Sequence, residues 1–395
     1  MMAQSRVIGA EHIQDAYQRG RIVFEVLSGD IVTDLAVETA ERLGIRLSDG
    51  PLDKPAIVKT DGAKAMVRGL YRRSSRWVSP HKAIPRQVRR FSKLALVGAG
   101  GVGGNIAHLA ALQNMADEIM LIDIVPGMAA ATAMDLNHAS GITGASARCF
   151  GSENLADLAG ADVIVVTAGM ARRPGMTRAD LIDVNKRIIH STAEVIRARA
   201  PEAIVIVVTN PLDEMTLEMF KMTQFPRERV LGMAGTLDSS RFRNALAGGA
   251  GVSPADVDAI PLGSHGDEMT PIPSLARIKG RPLERYLTEE QIEACVKDAV
   301  TGGGQVVTLK KSGSATIAPA HGVVELLDHI RGARVGPVPV SVMMAGEYGV
   351  HDVVLGVPAH LGKTGLIEVE ELRLSERELQ NLHAAAEAVR KRLEQ

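Results

Sequence analysis

Lys93-Leu94-Ala95-Leu96-Val97-Gly98-Ala99-Gly100-Gly101-Val102-Gly103 is the stretch that decides the fold. Residues 94–97 form a short apolar run of the length of a buried strand, and the run stops at a glycine. The glycines then follow the order G-x-G-x-x-G and open a helical segment at 101–113. Gly98 permits a tight turn, Gly100 lets the backbone approach a diphosphate, and Gly103 allows helix and strand to pack closely. Gly101 stands at the helix N-terminus, where unpaired N–H groups face an anion. A second apolar run ends in Asp123, twenty residues beyond Gly103. A carboxylate there would accept both hydroxyls of an adenosine ribose and repel a 2′-phosphate, which selects NAD over NADP. A glycine-rich turn with a nearby acid is weak evidence alone. Strand, helix and acid in register make it specific.

Working outward, apolar runs at 94–97, 119–123, 163–166 and 204–208 alternate with helical patterns at 101–113, 128–139 and 181–198. That alternation predicts an α/β, doubly wound parallel sheet. After Asp238 the pattern mixes, with a helix to Leu246, strands near 259–262 and 338–344, and a long helix from Ser375. An α+β domain is expected there. The expected organisation is a small N-terminal segment (1–50), a basic linker (51–92), a Rossmann domain (93–237) and a substrate-binding, catalytic domain (238–395). No internal repeat is evident.

In the first segment, 22–26 reads as a strand and 33–44 as a helix. Asp34 is placed as its N-cap, Leu35, Ala36, Ala40 and Leu43 recur at helical spacing, and Gly44 stops it. The linker holds Pro51, Pro55, Gly62, Pro80 and Pro85, and eleven Lys or Arg face only Asp53 and Asp61. Within it Ala63, Met66, Val67, Leu70 and Tyr71 follow the spacing of an amphipathic helix.

At 395 residues the chain exceeds a single compact core. Its net charge of −1 gives no reason to expect nucleic acid or a membrane as a partner. Aromatics at 3% argue against a base-stacking surface. No apolar run is long enough to span a bilayer, and residues 1–10 lack the apolar core of a signal peptide. Cys149 and Cys295 lie far apart, neither in a ligand spacing nor beside a His. They read as core hydrophobes of a protein in a reducing cytosol, with no metal site.

Three further segments carry chemistry. His265 stands in the glycine-flanked loop Gly263-Ser264-His265-Gly266-Asp267, and Asp238 in Gly235-Thr236-Leu237-Asp238-Ser239-Ser240-Arg241. Singly, the first reads as a surface histidine and the second as a helix cap. The third segment is Gly169-Met170-Ala171-Arg172-Arg173-Pro174-Gly175-Met176-Thr177-Arg178, at the carboxyl edge of the sheet. Three arginines on a loop there suit a dicarboxylate, since guanidinium pairs with carboxylate bidentately. Asn210-Pro211 ends the next strand, where Asn210 could orient a substrate oxygen or a nicotinamide amide, or serve only the turn.

Together these segments resemble the lactate/malate dehydrogenase superfamily, in particular its lactate-dehydrogenase-like malate dehydrogenase branch. The resemblance spans residues 93–392 and includes Thr167-Ala168-Gly169, the arginine loop, Val208-Thr209-Asn210-Pro211-Leu212-Asp213, the Asp238 and His265 segments, Gly313-Ser314-Ala315 and Gly346-Glu347-Tyr348-Gly349. It implies His265 as proton carrier and Asp238 as the carboxylate that orients it. It implies Arg241 as the clamp on the substrate's C1 carboxylate and Arg178 as the residue polarising the reacting carbonyl. Arg172, six residues before Arg178, occupies the specificity position. An Arg there favours a second carboxylate, as in oxaloacetate, whereas Gln favours pyruvate. The physics agrees, because an Arg facing a methyl group would be desolvated unpaired, at a cost on the order of several kcal/mol. Thr167, Ala168, Gly169, Asn185 and Asn210 are implied on the NAD side, and Asn210 and Ser314 on the substrate side.

The activity implied is reversible, NAD-dependent oxidation of (S)-malate to oxaloacetate by a cytoplasmic homodimer or homotetramer of the tricarboxylic acid cycle. One alternative is an enzyme of lactate or other 2-hydroxy acids, against which Arg172 argues. Another is a non-catalytic microcompartment cargo or adaptor protein on a Rossmann scaffold, which would not need His265, Asp238 and three arginines.

Members of this family usually begin at the first Rossmann strand, which about 92 residues precede here. Residues 7–45, with Ile31-Val32-Thr33-Asp34-Leu35-Ala36 and Ala40-Glu41-Arg42-Leu43-Gly44-Ile45, resemble N-terminal segments on enzymes of bacterial microcompartments. The 63–71 helix looks like peptides that recruit cargo to such shells, so a shell or cargo partner for residues 1–90 is one expectation. An oligomer-stabilising arm or disordered extension is the other.

Overall fold

Short runs of branched apolar residues build the sheet around which the candidate site is assembled. The computed structural model of the chain describes residues 6–18, 23–27, 30–49, 88–170, 178–266, 268–311 and 313–393. These fall into two units, divided near Met66.

The small unit contains β1 (Val7–Ile8), α1 (Ala10–Gln18), β2 (Val23–Val26), β3 (Ile31–Val32), α2 (Asp34–Leu43) and β4 (Arg46–Asp49). β1 pairs with β3 and β2 with β4, both in parallel. The unit is therefore strand–helix–strand twice over, a structural repeat that the sequence does not display. Ile8, Ile13, Ala16, Ala36, Ala40 and Ile45 form its own core. α2 ends at Gly44 (φ +70) as expected, but its cap is Thr33, whose hydroxyl accepts from the Ala36 N–H. Asp34 is instead the first helical residue, where a carboxylate complements the helix dipole. The 63–71 helix lies outside the described residues.

The large unit begins with β5 (Phe91–Val97), α3 (Gly101–Leu112), β6 (Ala116–Ile122), α4 (Met128–Thr143), β7 (Arg148–Ser152) and β8 (Val163–Val166). It continues through α5 (Arg178–Arg199), β9 (Ile204–Val207), α6 (Leu212–Thr223), β10 (Val230–Gly232) and α7 (Gly235–Ala250). These six strands lie side by side in the order β7-β6-β5-β8-β9-β10, each pair parallel. The order turns back between β5 and β8, which opens a crevice at the carboxyl ends of the strands.

The run 94–97 is continuously apolar because both faces of its strand are covered. Leu94 and Leu96 pack with Ile106 of α3, whereas Ala95 and Val97 pack with Ile189 and Ala193 of α5. Each of the Leu, Ile and Val side chains among them contributes about 1.5–3 kcal/mol when fully buried. β5 starts at Phe91, two residues before the expected boundary, because Phe91 is buried and pairs with Ala116.

The rest of the unit comprises β11 (Val257–Asp258), β12 (Pro261–Gly263), β13 (Met269–Pro271), β14 (Arg277–Ile278), β15 (Arg281–Pro282), α8 (Glu289–Lys310) and α9 (Ile317–Ile330). It closes with β16 (Pro337–Ala345), β17 (His351–Gly362), β18 (Gly365–Val369) and α10 (Glu376–Leu393). β16 joins β10 antiparallel, and β17, β12 and β13 extend the same sheet, with β18 on β17. Among the described residues that sheet has eleven strands and runs through both expected halves. The single strand expected near 259–262 is two short ones in different sheets, since β11 pairs with β14. Strands of two or three residues are too short to show an alternation. Among the described residues no helix is long and apolar enough to cross a membrane.

Candidate active site

The first part of the site stands where β5 turns into α3. Gly98 has φ +105, and a Cβ on it would fall 2.5 Å from Thr167 Oγ1. That hydroxyl donates to the carbonyls of Val97 (3.3 Å) and Gly98 (3.1 Å), tying the ends of β5 and β8 together. A Cβ on Gly103 would lie 1.9 Å from the Gly98 carbonyl oxygen, so only glycine lets the helix sit so close. At Gly100 the same position is open, with nothing within 4 Å. Gly101 follows as the first residue of α3 and packs beneath Thr316.

Asp123 follows β6 in the adjacent turn. Its Oδ2 accepts from the Ala99 N–H (2.7 Å) and its Oδ1 from the Val125 N–H (2.9 Å). The carboxylate is pinned beside the glycine turn, with lone pairs left for further donors. An open helix N-terminus and a fixed carboxylate beside it fit a dinucleotide with an unphosphorylated adenosine ribose.

Thr209 donates to the Ala168 carbonyl (2.7 Å), which steadies Ala168 and Gly169 after β8. Asn185, expected on the cofactor side, has its amide engaged by backbone. Its Oδ1 accepts from Met170 N, and its Nδ2 donates to the carbonyls of Met170 and Asn210 (2.7–3.1 Å). At 1% exposure it staples the start of the arginine loop to the cis Asn210–Pro211 bond. Ser314 is exposed between α8 and α9, its hydroxyl turned to the carbonyl of Ala315. Arg178 opens α5, and Arg172 lies within residues 171–177, outside the described residues.

The second part joins α7 to the loop between β12 and β13. Asp238 is the fourth residue of α7, inside its first turn rather than at its cap. Its Oδ2 lies 2.7 Å from His265 Nδ1 and its Oδ1 accepts from Arg241 Nη1 at 3.0 Å. Nδ1 must carry a proton toward the carboxylate, which leaves Nε2 for a substrate. Burial opposes a charged ring, yet Asp238 first and Asp213 after it outweigh burial, with Arg241 working against them. His265 therefore sits above the ordinary histidine range. The Arg241 guanidinium lies against Gly303 in α8, where a Cβ would come within 3.3 Å of both terminal nitrogens.

Sequence reasoning assigned no role to Asp213. It is 1% exposed in the first turn of α6, and its Oδ2 accepts from the His265 N–H (2.7 Å) and Ser264 Oγ (2.8 Å). Burial and the neighbouring Glu214 push its carboxyl up to about 6, against the pull of those donors. The available signal was an Asp-Glu pair in an otherwise apolar helix start. Such a pair ordinarily reads as acids favoured by the helix dipole.

An imidazole with one nitrogen fixed and the other free, an arginine beside it and a dinucleotide cradle in the same sheet can move a proton and a hydride together. Comparison with known proteins agrees. Residues 92–232 match the lactate/malate dehydrogenase NAD binding domain, and residues 235–395 its alpha/beta C-terminal domain. Malate dehydrogenase of Trichormus variabilis is 43% identical over 310 residues, covering 78% of this chain and 95% of that protein. The structure of malate dehydrogenase from Aeropyrum pernix is 40% identical with a TM-score of 0.73, covering 76% of this chain and 97% of that one. The Cryptosporidium parvum lactate dehydrogenase, solved with lactic acid and nicotinamide adenine dinucleotide, is 35% identical with a TM-score of 0.74, covering 78% and 98%. With the cradle, the His–Asp pair and these matches in accord from residue 92 onward, the chain belongs to the lactate/malate dehydrogenase family.

Proposed function

We propose that this chain is an NAD-dependent malate dehydrogenase, interconverting (S)-malate and oxaloacetate, with residues 93–237 binding the dinucleotide and 238–395 carrying the proton relay. The observation that carries the reading is the shared Asp238 carboxylate, bonded at once to His265 and Arg241. In malate oxidation His265 Nε2 takes the C2 hydroxyl proton while the C2 hydride departs, and Asp238 stabilises the resulting imidazolium. NAD, when bound, supplies the nicotinamide ring that accepts this hydride. Arg241 holds the C1 carboxylate, Arg178 stabilises charge building on the C2 oxygen, and Asn210 orients the groups between them. Arg172 pairs with the second carboxylate and so sets malate apart from lactate.

The malate dehydrogenase names of the relatives support this choice over a lactate enzyme. NADH oxidation by the full chain, followed by absorbance with oxaloacetate and then pyruvate, tests it. Strong preference for oxaloacetate is expected. Preference for pyruvate would move the assignment to lactate, and oxidation with neither in folded protein would leave the adaptor reading.

The same proposal has the enzyme act as a homodimer or homotetramer in the cytoplasm, in the tricarboxylic acid cycle. Residues 1–50 and the basic linker 51–92 then form a targeting extension toward a microcompartment shell or its cargo. Two facts support this role: residues 6–49 bury a core of their own, and the family match starts only at residue 92. Deleting residues 1–90 should leave turnover intact and release the enzyme from co-fractionating shells. Continued co-fractionation would overturn the targeting role.

A further inference from the structure

The loop carrying His265 is held from behind by the C-terminal helix. Arg392, near the end of α10, has a side chain only 14% exposed. Its Nε donates to Glu214 Oε1 (2.5 Å), its Nη1 to Glu268 Oε1 (2.7 Å) and its Nη2 to Ser264 Oγ (3.1 Å). Ser264 and Glu268 flank His265, and Glu214 follows Asp213. A hydroxyl has a single hydrogen. Ser264 Oγ accepts from Arg392, so its own proton points to Asp213 Oδ2, 2.8 Å away. The same Oδ2 accepts the His265 N–H, while Oδ1 accepts from Ser341 Oγ (3.2 Å). The donors thus converge on the Asp213 carboxylate, the guanidinium through the Ser264 hydroxyl on one side and the backbone N–H of the proton carrier on the other.

We propose that Arg392 is a positioning residue for proton transfer, fixing the His265 backbone through Ser264 and Asp213 without touching substrate. This rests on the reading of His265 as the proton carrier of a malate dehydrogenase and goes one layer behind it. A cation in the last turn of a helix complements the helix dipole, but that role needs neither burial nor three directed bonds. Arg392 also neutralises Glu214, the neighbour that works with burial to push the Asp213 carboxyl up. Arg390 supplies a contrast on the same helix. It ties α10 to the His351 carbonyl of β17 (2.6 Å) and, among the described residues, bonds to nothing in the loop.

The test uses the full chain with Arg392→Ala, Arg392→Lys, Ser264→Ala, the Arg392→Ala/Ser264→Ala double variant and Arg390→Ala. The measurements are kcat, KM for oxaloacetate and NADH, Tm, and hydrogen exchange at the His265 amide. A displacement of the ring by a fraction of an ångström to 1 Å lowers kcat about 10- to 100-fold in Arg392→Ala and Ser264→Ala. KM should change less than about threefold, because the arginines that hold substrate stay in place. The double variant should be no worse than the poorer single variant, since both cut one chain of bonds. The His265 amide should exchange at least about tenfold faster in both single variants. Arg392→Lys keeps the charge and loses the planar fork, so it should hold its Tm yet lose kcat severalfold. Arg390→Ala should match the parent in kcat.

Multiplying effects in the double variant, an equal kcat loss in Arg390→Ala, or unchanged amide exchange would each overturn the proposal. Unchanged kcat in both single variants of an active parent would overturn it alone. A parent inactive on oxaloacetate would overturn the functional reading with it.

Discussion

Asp238→Asn tests the core of the site with almost no change of shape. The carboxylate meets two donors, His265 Nδ1 at 2.7 Å and Arg241 Nη1 at 3.0 Å. An amide offers one acceptor and one donor. With its oxygen toward His265, its NH2 opposes the guanidinium. With its NH2 toward His265, the ring proton must move to Nε2, and the nitrogen that should receive the substrate proton is blocked. The Asp238 and His265 side chains are 5% and 17% exposed, so water replaces little of what is lost. Opposite charges about 4 Å apart couple by about 4 kcal/mol at an effective dielectric of about 20. At about 1.4 kcal/mol per tenfold in rate, that is nearly three powers of ten. A kcat loss of about 10²- to 10⁴-fold is therefore expected, the upper figure matching the loss of a His-orienting carboxylate in another enzyme class.

The pH profile carries the sign. His265 lies above about 6.5 because Asp238 and Asp213 outweigh burial. Its protonated form is the acid for oxaloacetate reduction, so reduction falls as pH rises through that raised value, while malate oxidation gains. The stability it contributes is full below about 6.5 and is lost as pH rises through the folded value. In Asp238→Asn the strongest of the raising neighbours is gone, and the break in the reduction profile should move to lower pH. Steady-state NADH oxidation across the pH range reads both effects. A variant keeping more than about a tenth of parental kcat/KM, with its pH break unmoved, would refute the relay.

Arg172→Gln should lose oxaloacetate reduction and gain pyruvate reduction, swinging the ratio of kcat/KM values by at least about 10²-fold; an unchanged ratio would remove Arg172 from the specificity position. Gly103→Ala places a methyl group 1.9 Å from the Gly98 carbonyl oxygen and should cost at least about 1–3 kcal/mol. Calorimetry should show a Tm lower by several degrees, with a raised KM for NADH, and an unmoved Tm would show that α3 and β5 do not pack this closely.

The sheet could be read from the sequence because its central strands are buried on both faces. Runs such as Val163–Val166 and Ile204–Val207 are apolar throughout, and the helices between them are long enough to repeat. Between α7 and α8 the strands shorten to two or three residues, as in β11 and β12, and carry no period to detect. The cradle could be read because each of its glycines answers a local backbone need. The pairing of Asp238 with His265 could not be read from either residue, since 27 positions separate them and only the fold brings them to 2.7 Å. Resemblance supplied that link. The bonds of Asn185 to the backbone of Met170 and Asn210 could not be read either, because a sequence does not tell which partners a buried amide takes. Asp213 and Arg392 were missed because each stands where the helix dipole already accounts for its charge.

Two carboxylates act on His265, and their division of labour explains why one would not suffice. Asp238 fixes the direction of the ring, but a ring is only as well placed as its backbone. That backbone lies between Gly263 (φ +92) and Gly266 (φ +130), which let the loop turn and would also let it swing. Asp213 removes this freedom by holding the His265 N–H from inside the core. Were both carboxylates in contact with the ring, the imidazolium would be stabilised twice and would release its proton poorly. With one on the ring and the other on the backbone, Asp238 acts more strongly on acidity and Asp213 chiefly on position, its charge raising the ring less than that of Asp238 does. On this logic, loss of the ring partner moves the pH profile and the rate together, whereas loss of the support behind Asp213 lowers kcat chiefly through geometry.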